Sequence, residues 1–150
     1  KEGHTVEEIF QAFEKIQKTL QAYVVVDDLN HLVRGGRLSN GSALLGSLLK
    51  IKPILHFEDK KITVFEKIRT KKKALKRIEQ LLEEDVEKGY PIVATIIHAN
   101  AEKEALAWME VLKQQYPTLR YEMSYFGPVI GTHLGEGALG LTWAEDLTSK

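Results

Sequence analysis

The segment Gly131-Thr132-His133-Leu134-Gly135 places a hydroxyl and an imidazole side by side between glycines. Both groups can donate hydrogen bonds to an anionic oxygen, so the pair suits a carboxylate or a phosphate. The same residues would also serve a tight turn in which Thr132 and His133 bond to nearby backbone. The overlapping run Gly135-Glu136-Gly137-Ala138-Leu139-Gly140 spells G-x-G-x-x-G. As a dinucleotide fingerprint it must follow a strand, open a helix and be answered by an acid about 20 residues later. Ten residues follow Gly140, too few for such a unit, and the match is expected to be a decoy. His4, His31, His56 and His98 are scattered singly, with no H-E-x-x-H spacing and no G-x-x-x-x-G-K-[ST] loop, so no metal or nucleotide site is drawn from them. Cysteine is absent, which excludes a disulfide framework, a thiolate zinc site and a thiol nucleophile.

Lys plus Arg is 21 and Asp plus Glu is 21, giving zero net charge. Any surface for an anionic polymer must therefore come from segregated charges. Lys67, Arg69, Lys71, Lys72, Lys73, Lys76 and Arg77 put seven cations into eleven residues with no acid between them, and Glu83, Glu84, Asp85 and Glu87 follow. On one helix this order opposes the macrodipole, at roughly a few tenths of a kcal/mol per exposed charge. Such a segment either presents cations to an anionic partner, with Arg34 and Arg37 adding to it from a glycine-bearing loop, or is a solvated face with screened charges. A nucleic-acid-binding or regulatory role through residues 67–77 has few aromatics and no recognition motif behind it. A phosphoryl-transfer enzyme built on His133 lacks a phosphate loop, a metal constellation and a second obvious acid or base.

A single domain over residues 1–150 has to carry these groups. A chain of this length buries roughly 68–70% of its unfolded surface, and 43% hydrophobic with 28% charged residues is ordinary globular composition. No apolar run approaches the ~18 residues of a membrane span, and the first residues are neither an initiator methionine nor a signal peptide. A cytoplasmic domain is expected. Thr5-Val6-Glu7-Glu8 reads as a capping box opening a one-sided helix through Val6, Ile9, Phe10, Phe13, Ile16 and Leu20. Residues 22–27 and 91–97 read as buried strands, and residues 53–57 and 62–65 as a hairpin. Residues 32–41 read as a loop, and Ser39 or Asn40 can cap a helix carrying Leu44, Leu45, Leu48 and Leu49. Thr70 is expected to cap a helix through Val86, and Asn100 one ending before Pro117. Residues 120–126 and 139–143 complete the strands, with a glycine-rich turn after His133. Helices alternating with strands, plus one hairpin, predict an α/β fold with a mixed sheet.

Four blocks together resemble the DegV family of bacterial fatty-acid-binding proteins. They are Val25-Val26-Asp27-Asp28-Leu29, the run from Leu32 to Leu38, the run from Lys67 to Ala74, and Pro128-Val129-Ile130-Gly131-Thr132-His133-Leu134-Gly135. They occur in family order from about Thr5 to Trp143 and cover only the family's C-terminal domain, so the resemblance implies that an N-terminal domain is missing. It implies a two-layer domain with an about six-stranded mixed sheet. It implies a long-chain fatty acid as ligand, no cofactor, and no catalysis by the chain itself. It further implies that the acid is presented to a separate fatty-acid kinase, and nucleic acid is not expected as a partner. By the same resemblance Thr132 and His133, with Gly131, are expected to bind the head group. Leu45 and Leu48 are expected to wall the acyl chain. Arg69, which reads as the end of a strand immediately before the Thr70 cap, is expected to contact the kinase, with Arg34 and Arg37 as further candidates. Glu136 stands where the family usually has proline, and it is expected to point to solvent.

Overall fold

A computed structural model of the chain describes residues 3–38 and 51–148. Helix α1 (Val6–Thr19) starts on the capping box: Glu8 N donates to Thr5 Oγ1 at 3.2 Å, and Thr5 N donates to Glu8 Oε2 at 2.7 Å. Strand β1 (Gln21–Val25) leads to the short helix α2 (Asn30–Arg34), begun by Asp28, whose Oδ1 accepts from Asn30 N at 2.9 Å. Strands β2 (Ile54–Glu58) and β3 (Lys61–Glu66) form the expected hairpin. Its two turn residues, Asp59 and Lys60, both have positive φ (47° and 63°), as a two-residue type I′ connection requires. Helix α3 (Lys71–Val86) is capped by Thr70, which accepts from Lys73 N. Strand β4 (Ile92–His98), helix α4 (Glu102–Gln115), strand β5 (Arg120–Tyr125), helix α5 (Pro128–Leu134) and strand β6 (Leu139–Glu145) follow.

The six strands make one mixed sheet in the order β3-β2-β1-β6-β4-β5. Neighbours are antiparallel except β4 and β5, which run parallel and are joined by α4, since a parallel pair needs a crossover. Val25, Ile54, Ile96, Leu141 and Trp143 meet Ala74, Ile78 and Leu82 of α3 and Ala105, Trp108 and Leu112 of α4 on one face. Val24, Val26 and Leu55 on the other face are covered by Leu29, Leu32, Leu38, Leu134 and Ala138. The α/β sheet-and-helix arrangement expected from sequence is present, with α2 and α5 as short cover on the second face. Two carboxylates of α3 are buried in the first core. Trp108 Nε1 donates to Glu79 Oε1 at 3.0 Å, and Trp143 Nε1 donates to Asp85 Oδ2 at 2.6 Å. Each acid supplies the acceptor that a buried indole N–H needs.

Four local expectations are corrected. Leu32 to Arg34 are helical rather than loop. Gly131 to Leu134 belong to α5 rather than to a loop, with Pro128 at the first helical turn and Leu134 buried in the second-face core. Asn100 does not cap α4: it holds φ 50°, its side chain donates to Glu136 Oε1 at 2.7 Å, and Ala101 is the residue before the helix. Arg69 lies beyond the end of β3 at Glu66, on the link to α3 rather than on a strand.

Candidate functional site

The sheet directions bring the chemistry-bearing loops to one end. Val25 of β1 and His98 of β4 both pair with Leu139, so Asp27, Asn100 and the Gly135–Ala138 turn meet at the start of β6. Val25 also pairs with Ile54 and Ile54 with Glu66, which adds Lys52 and the basic link 67–70 to the same end. Tyr125 pairs with His98, so β5 also delivers α5 there. Backbone bonds fix the turn: Ala99 N donates to Ala138 O at 2.9 Å, and Gly137 N to Ala99 O at 2.8 Å.

A small apolar cleft, with room for about 90 Å³, opens to solvent on the second face of the sheet. Val24 and Leu55 form its floor, Phe57 and Ile62 one side, and Phe126, Ile130 and Leu134 the other. Phe126 reaches over β6 because position 140 is glycine; a Cβ there would stand 3.0 Å from Phe126 Cζ. Ile130 and Leu134 occupy one face of α5, and His133, three residues after Ile130, borders that face. His133 is half-buried and Thr132 is exposed. Thr132 Oγ1 donates to Pro128 O at 2.6 Å, the usual i−4 bond of a helical threonine, so its single proton is already used. Gly131 is a mid-helix residue whose carbonyl accepts from Gly135 N. Leu45 and Leu48 lie outside the described residues, but Leu38 and Ile51, which flank that stretch, both belong to the second-face core.

The basic segment divides into two kinds of cation. Lys71 is only 16% exposed at its side chain. Its Nζ donates to Gly137 O at 2.7 Å and to Glu104 Oε2 at 2.8 Å, and stands 3.6 Å from Asp27 Oδ2. Asp27 in turn accepts from Lys52 Nζ through its carbonyl at 2.7 Å and Oδ1 at 3.1 Å. Lys76 is paired with Glu79, and Arg77 with Glu66 at 2.9 Å and Glu84 at 3.8 Å. Lys67, Arg69, Lys72 and Lys73 are exposed and have no carboxylate partner among the described residues. Arg34 and Arg37 are exposed at the end of α2, where Arg37 Nη1 donates to Gly35 O at 3.2 Å. Sequence reasoning missed the clamp made by Asp27, Lys52, Lys71 and Glu104, since its members come from two loops and two helices far apart in sequence. Among the described residues no three His, Asp or Glu side chains gather as a metal site, and no helix is long and apolar enough to cross a membrane. Glu136 is exposed, as expected, and its neighbours Gly135, Gly137 and Gly140 run from a helix end into a strand. That is the reverse of the strand-to-helix order a dinucleotide fingerprint needs.

A family model described as an uncharacterised protein of the DegV family matches residues 1–146. The chain is 58% identical over 137 residues to Protein DegV of Bacillus subtilis (strain 168), covering 91% of this chain and 49% of that protein. The crystal structure of DegV, a fatty acid binding protein from Bacillus subtilis, is similar with TM-score 0.83 at 56% identity, over 95% of this chain and 50% of that one. A fatty acid binding DegV family protein from Streptococcus agalactiae gives TM-score 0.85 at 42% identity, over 97% and 51%. The Streptococcus pneumoniae fatty acid kinase B3 protein, loaded with linoleic acid, shares the fold at TM-score 0.77 and 22% identity, over 96% and 51%. The chain spans about half the length of the curated relatives it matches.

Proposed function

The chain belongs to the DegV family, and from that premise we propose that it is one half of a carrier that holds a long-chain fatty acid and presents its carboxylate to a separate fatty-acid kinase. The observation that carries this reading is the apolar cleft on the second face of the sheet, with His133 on the same short helix as its Ile130 and Leu134 wall. Each methylene moved from water into such a cleft contributes about 0.8 kcal/mol. An acyl chain lying over Val24 and Leu55 would direct its head group towards α5. There His133 can donate to a carboxylate oxygen. Thr132 can do so only by releasing Pro128 O, and Gly131 leaves the helix surface beside them uncluttered. Leu45 and Leu48, outside the described residues, keep the acyl-chain role that the resemblance implies. In this reading the chain performs no chemistry. It hides the acyl chain and leaves the carboxylate near an edge whose exposed cations, Arg69 first and then Arg34 and Arg37, receive the kinase. The kinase partner is what the family resemblance implies; the Streptococcus pneumoniae fatty acid kinase B3 protein shares only the fold with this chain.

Extraction and mass analysis of the full-length parent purified from bacteria tests the ligand. A co-purified long-chain fatty acid is expected; nucleotide alone, or no lipid across several preparations, overturns the reading. His133→Ala in that protein should weaken fatty acids more than the matching alcohols, by roughly 10- to 150-fold, the equivalent of one charge-assisted hydrogen bond of about 1.5–3 kcal/mol. Thr132→Ala should show the same preference with a smaller loss.

A further inference from the structure

The charges of helix α3 follow an order that its own dipole penalises. Lys72, Lys76, Gln80, Glu83 and Glu87, the residue that ends the helix, are all exposed. They recur at three- and four-residue steps and so form one stripe along the outer side. The cations stand at the N-terminal end and the acids at the C-terminal end, each beside the pole of its own sign. Lys72, Glu83 and Glu87 have no ion-pair partner among the described residues, and Lys76 pairs with Glu79 at 2.9 Å. Beside the stripe runs a groove between α3 and α4, lined by Leu75, Ala107, Trp108 and Val111. Val111 is 42% exposed there.

The stripe is complementary to itself. Lys72 and Glu87 lie equally far, in opposite directions, from the midpoint between Glu79 and Gln80, and so do Lys76 and Glu83. A two-fold axis through that midpoint lays a second α3 antiparallel on the first. Lys72 then faces Glu87 of the second copy and Lys76 faces its Glu83, and each contact occurs twice. The cations come to lie beside the copy's C-terminal pole and the acids beside its N-terminal pole, where the dipole favours them. Exposed ion pairs alone contribute little, and the apolar groove supplies the surface that contact would take from water. We infer that the outer stripe of α3, with the α3–α4 groove, is an isologous interface for a second copy of this chain. A 16-residue helix is about 24 Å long, so a face two helices wide falls at the small end of specific interfaces. The dimer is therefore weak, concentration-dependent and loosened by salt. It does not depend on the fatty-acid reading.

Sedimentation velocity of the full-length parent over a concentration series, at low and high salt, tests it together with two variants, Lys72→Glu and Glu87→Lys. Each reversal suits the dipole of its own helix, so each variant should melt at or above the native temperature when dilute. Each should nevertheless stay monomeric where the native parent dimerises at low salt, because both copies of the Lys72–Glu87 contact become like-charge pairs. An equimolar mixture of the two variants should dimerise again. In the mixed pair the two introduced charges face each other with opposite sign, and so do the two native ones. A native parent that is monomeric at every concentration overturns the inference. So does a variant that dimerises as the native parent does, or a mixture that stays monomeric, which would leave α3 without this register.

Discussion

The imidazole of His133 occupies the space a side chain on Gly35 would need: a Cβ there would overlap Nδ1 and stand 2.9 Å from Cε1. The relationship is reciprocal. A Cβ on Gly135 would stand 2.7 Å from Cδ2 of His31. Helices α2 and α5 each end in a glycine that seats the other helix's histidine. Two of the four sequence blocks, the one ending Gly35-Gly36-Arg37 and the one around Thr132-His133, are thus halves of one packing unit. It holds the imidazole on the helix whose Ile130 and Leu134 line the apolar cleft.

Gly35→Ala should therefore act as a head-group mutation. The methyl group displaces His133, and the full-length parent should lose much of its preference for fatty acids over the matching alcohols, approaching His133→Ala. Gly36→Ala is the control. Gly36 has φ +62° and no atom within 4 Å of a built Cβ, so alanine there costs about 1 kcal/mol of backbone strain and leaves the preference intact. Isothermal titration with paired acids and alcohols reads both; equal behaviour of the two variants would show that the seat does not position the imidazole.

Local signals were legible where the physics is local. The Thr5 capping box, the Thr70 cap, the hairpin around Asp59-Lys60 and the β-branched runs each appear where residue type and spacing put them. Helix α5 was not legible, because Gly131 and Thr132 are poor helix formers and the burial of Leu134 in the second-face core is a tertiary contact. The seats of His133 and His31 could not be read either, since each joins residues far apart in sequence. Nor could the inside of the basic run: Lys71 differs from Lys72 only in which way the first turn of α3 points it.

That difference is measurable. Lys71 joins Asp27, Glu104 and the Gly137 carbonyl, and a Cβ on Gly137 would overlap Asp27, so the loops here have little freedom to reorganise. Lys71→Met should destabilise the protein by about 1–3 kcal/mol, the range for losing hydrogen bonds to a charged group. The upper end is moderated by water reaching Asp27 and Glu104. Lys72→Met should stay within about 0.5 kcal/mol, as exposed substitutions usually do. Denaturant melts with matched m-values separate them, and similar midpoints would mean the clamp contributes nothing.

Acid should loosen the end of the chain. Arg120 Nε donates to Asp146 Oδ2 at 2.7 Å, and Thr148 donates to Oδ1 through its hydroxyl at 2.6 Å and its backbone N at 3.0 Å. The Arg120 guanidinium first, and Thr148 next, hold the Asp146 carboxyl well below the usual carboxylate range despite its burial. A depressed folded-state value stabilises the fold above the unfolded value near 3.9, and that contribution fades as pH falls below it. The melting temperature should drop by a few degrees between about pH 5 and pH 2 through this group. Asp146→Asn should be less stable at neutral pH and show a shallower fall across that window. A slope identical to that of the native sequence would refute the linkage.

Arg69 separates a partner contact from a structural ion pair. The acid nearest in sequence, Glu66, is engaged by Arg77 at 2.9 Å, and Arg69 is exposed with no carboxylate among the described residues to hold it. Stability therefore gives no reason for an arginine here, whereas Arg77→Ala would free Glu66 and should lower the melting temperature. A guanidinium can clamp a carboxylate or phosphate with two parallel hydrogen bonds, which an ammonium cannot reproduce. Arg69→Ala in the full-length parent should accordingly melt like the native sequence and retain fatty-acid binding, yet lose phosphorylation of the bound acid by the kinase. Arg69→Lys should rescue little, because the charge is kept and the fork is lost. The assay has to run at subsaturating carrier, where a weaker encounter lowers the rate directly; unchanged phosphorylation there would remove Arg69 from the kinase-facing surface.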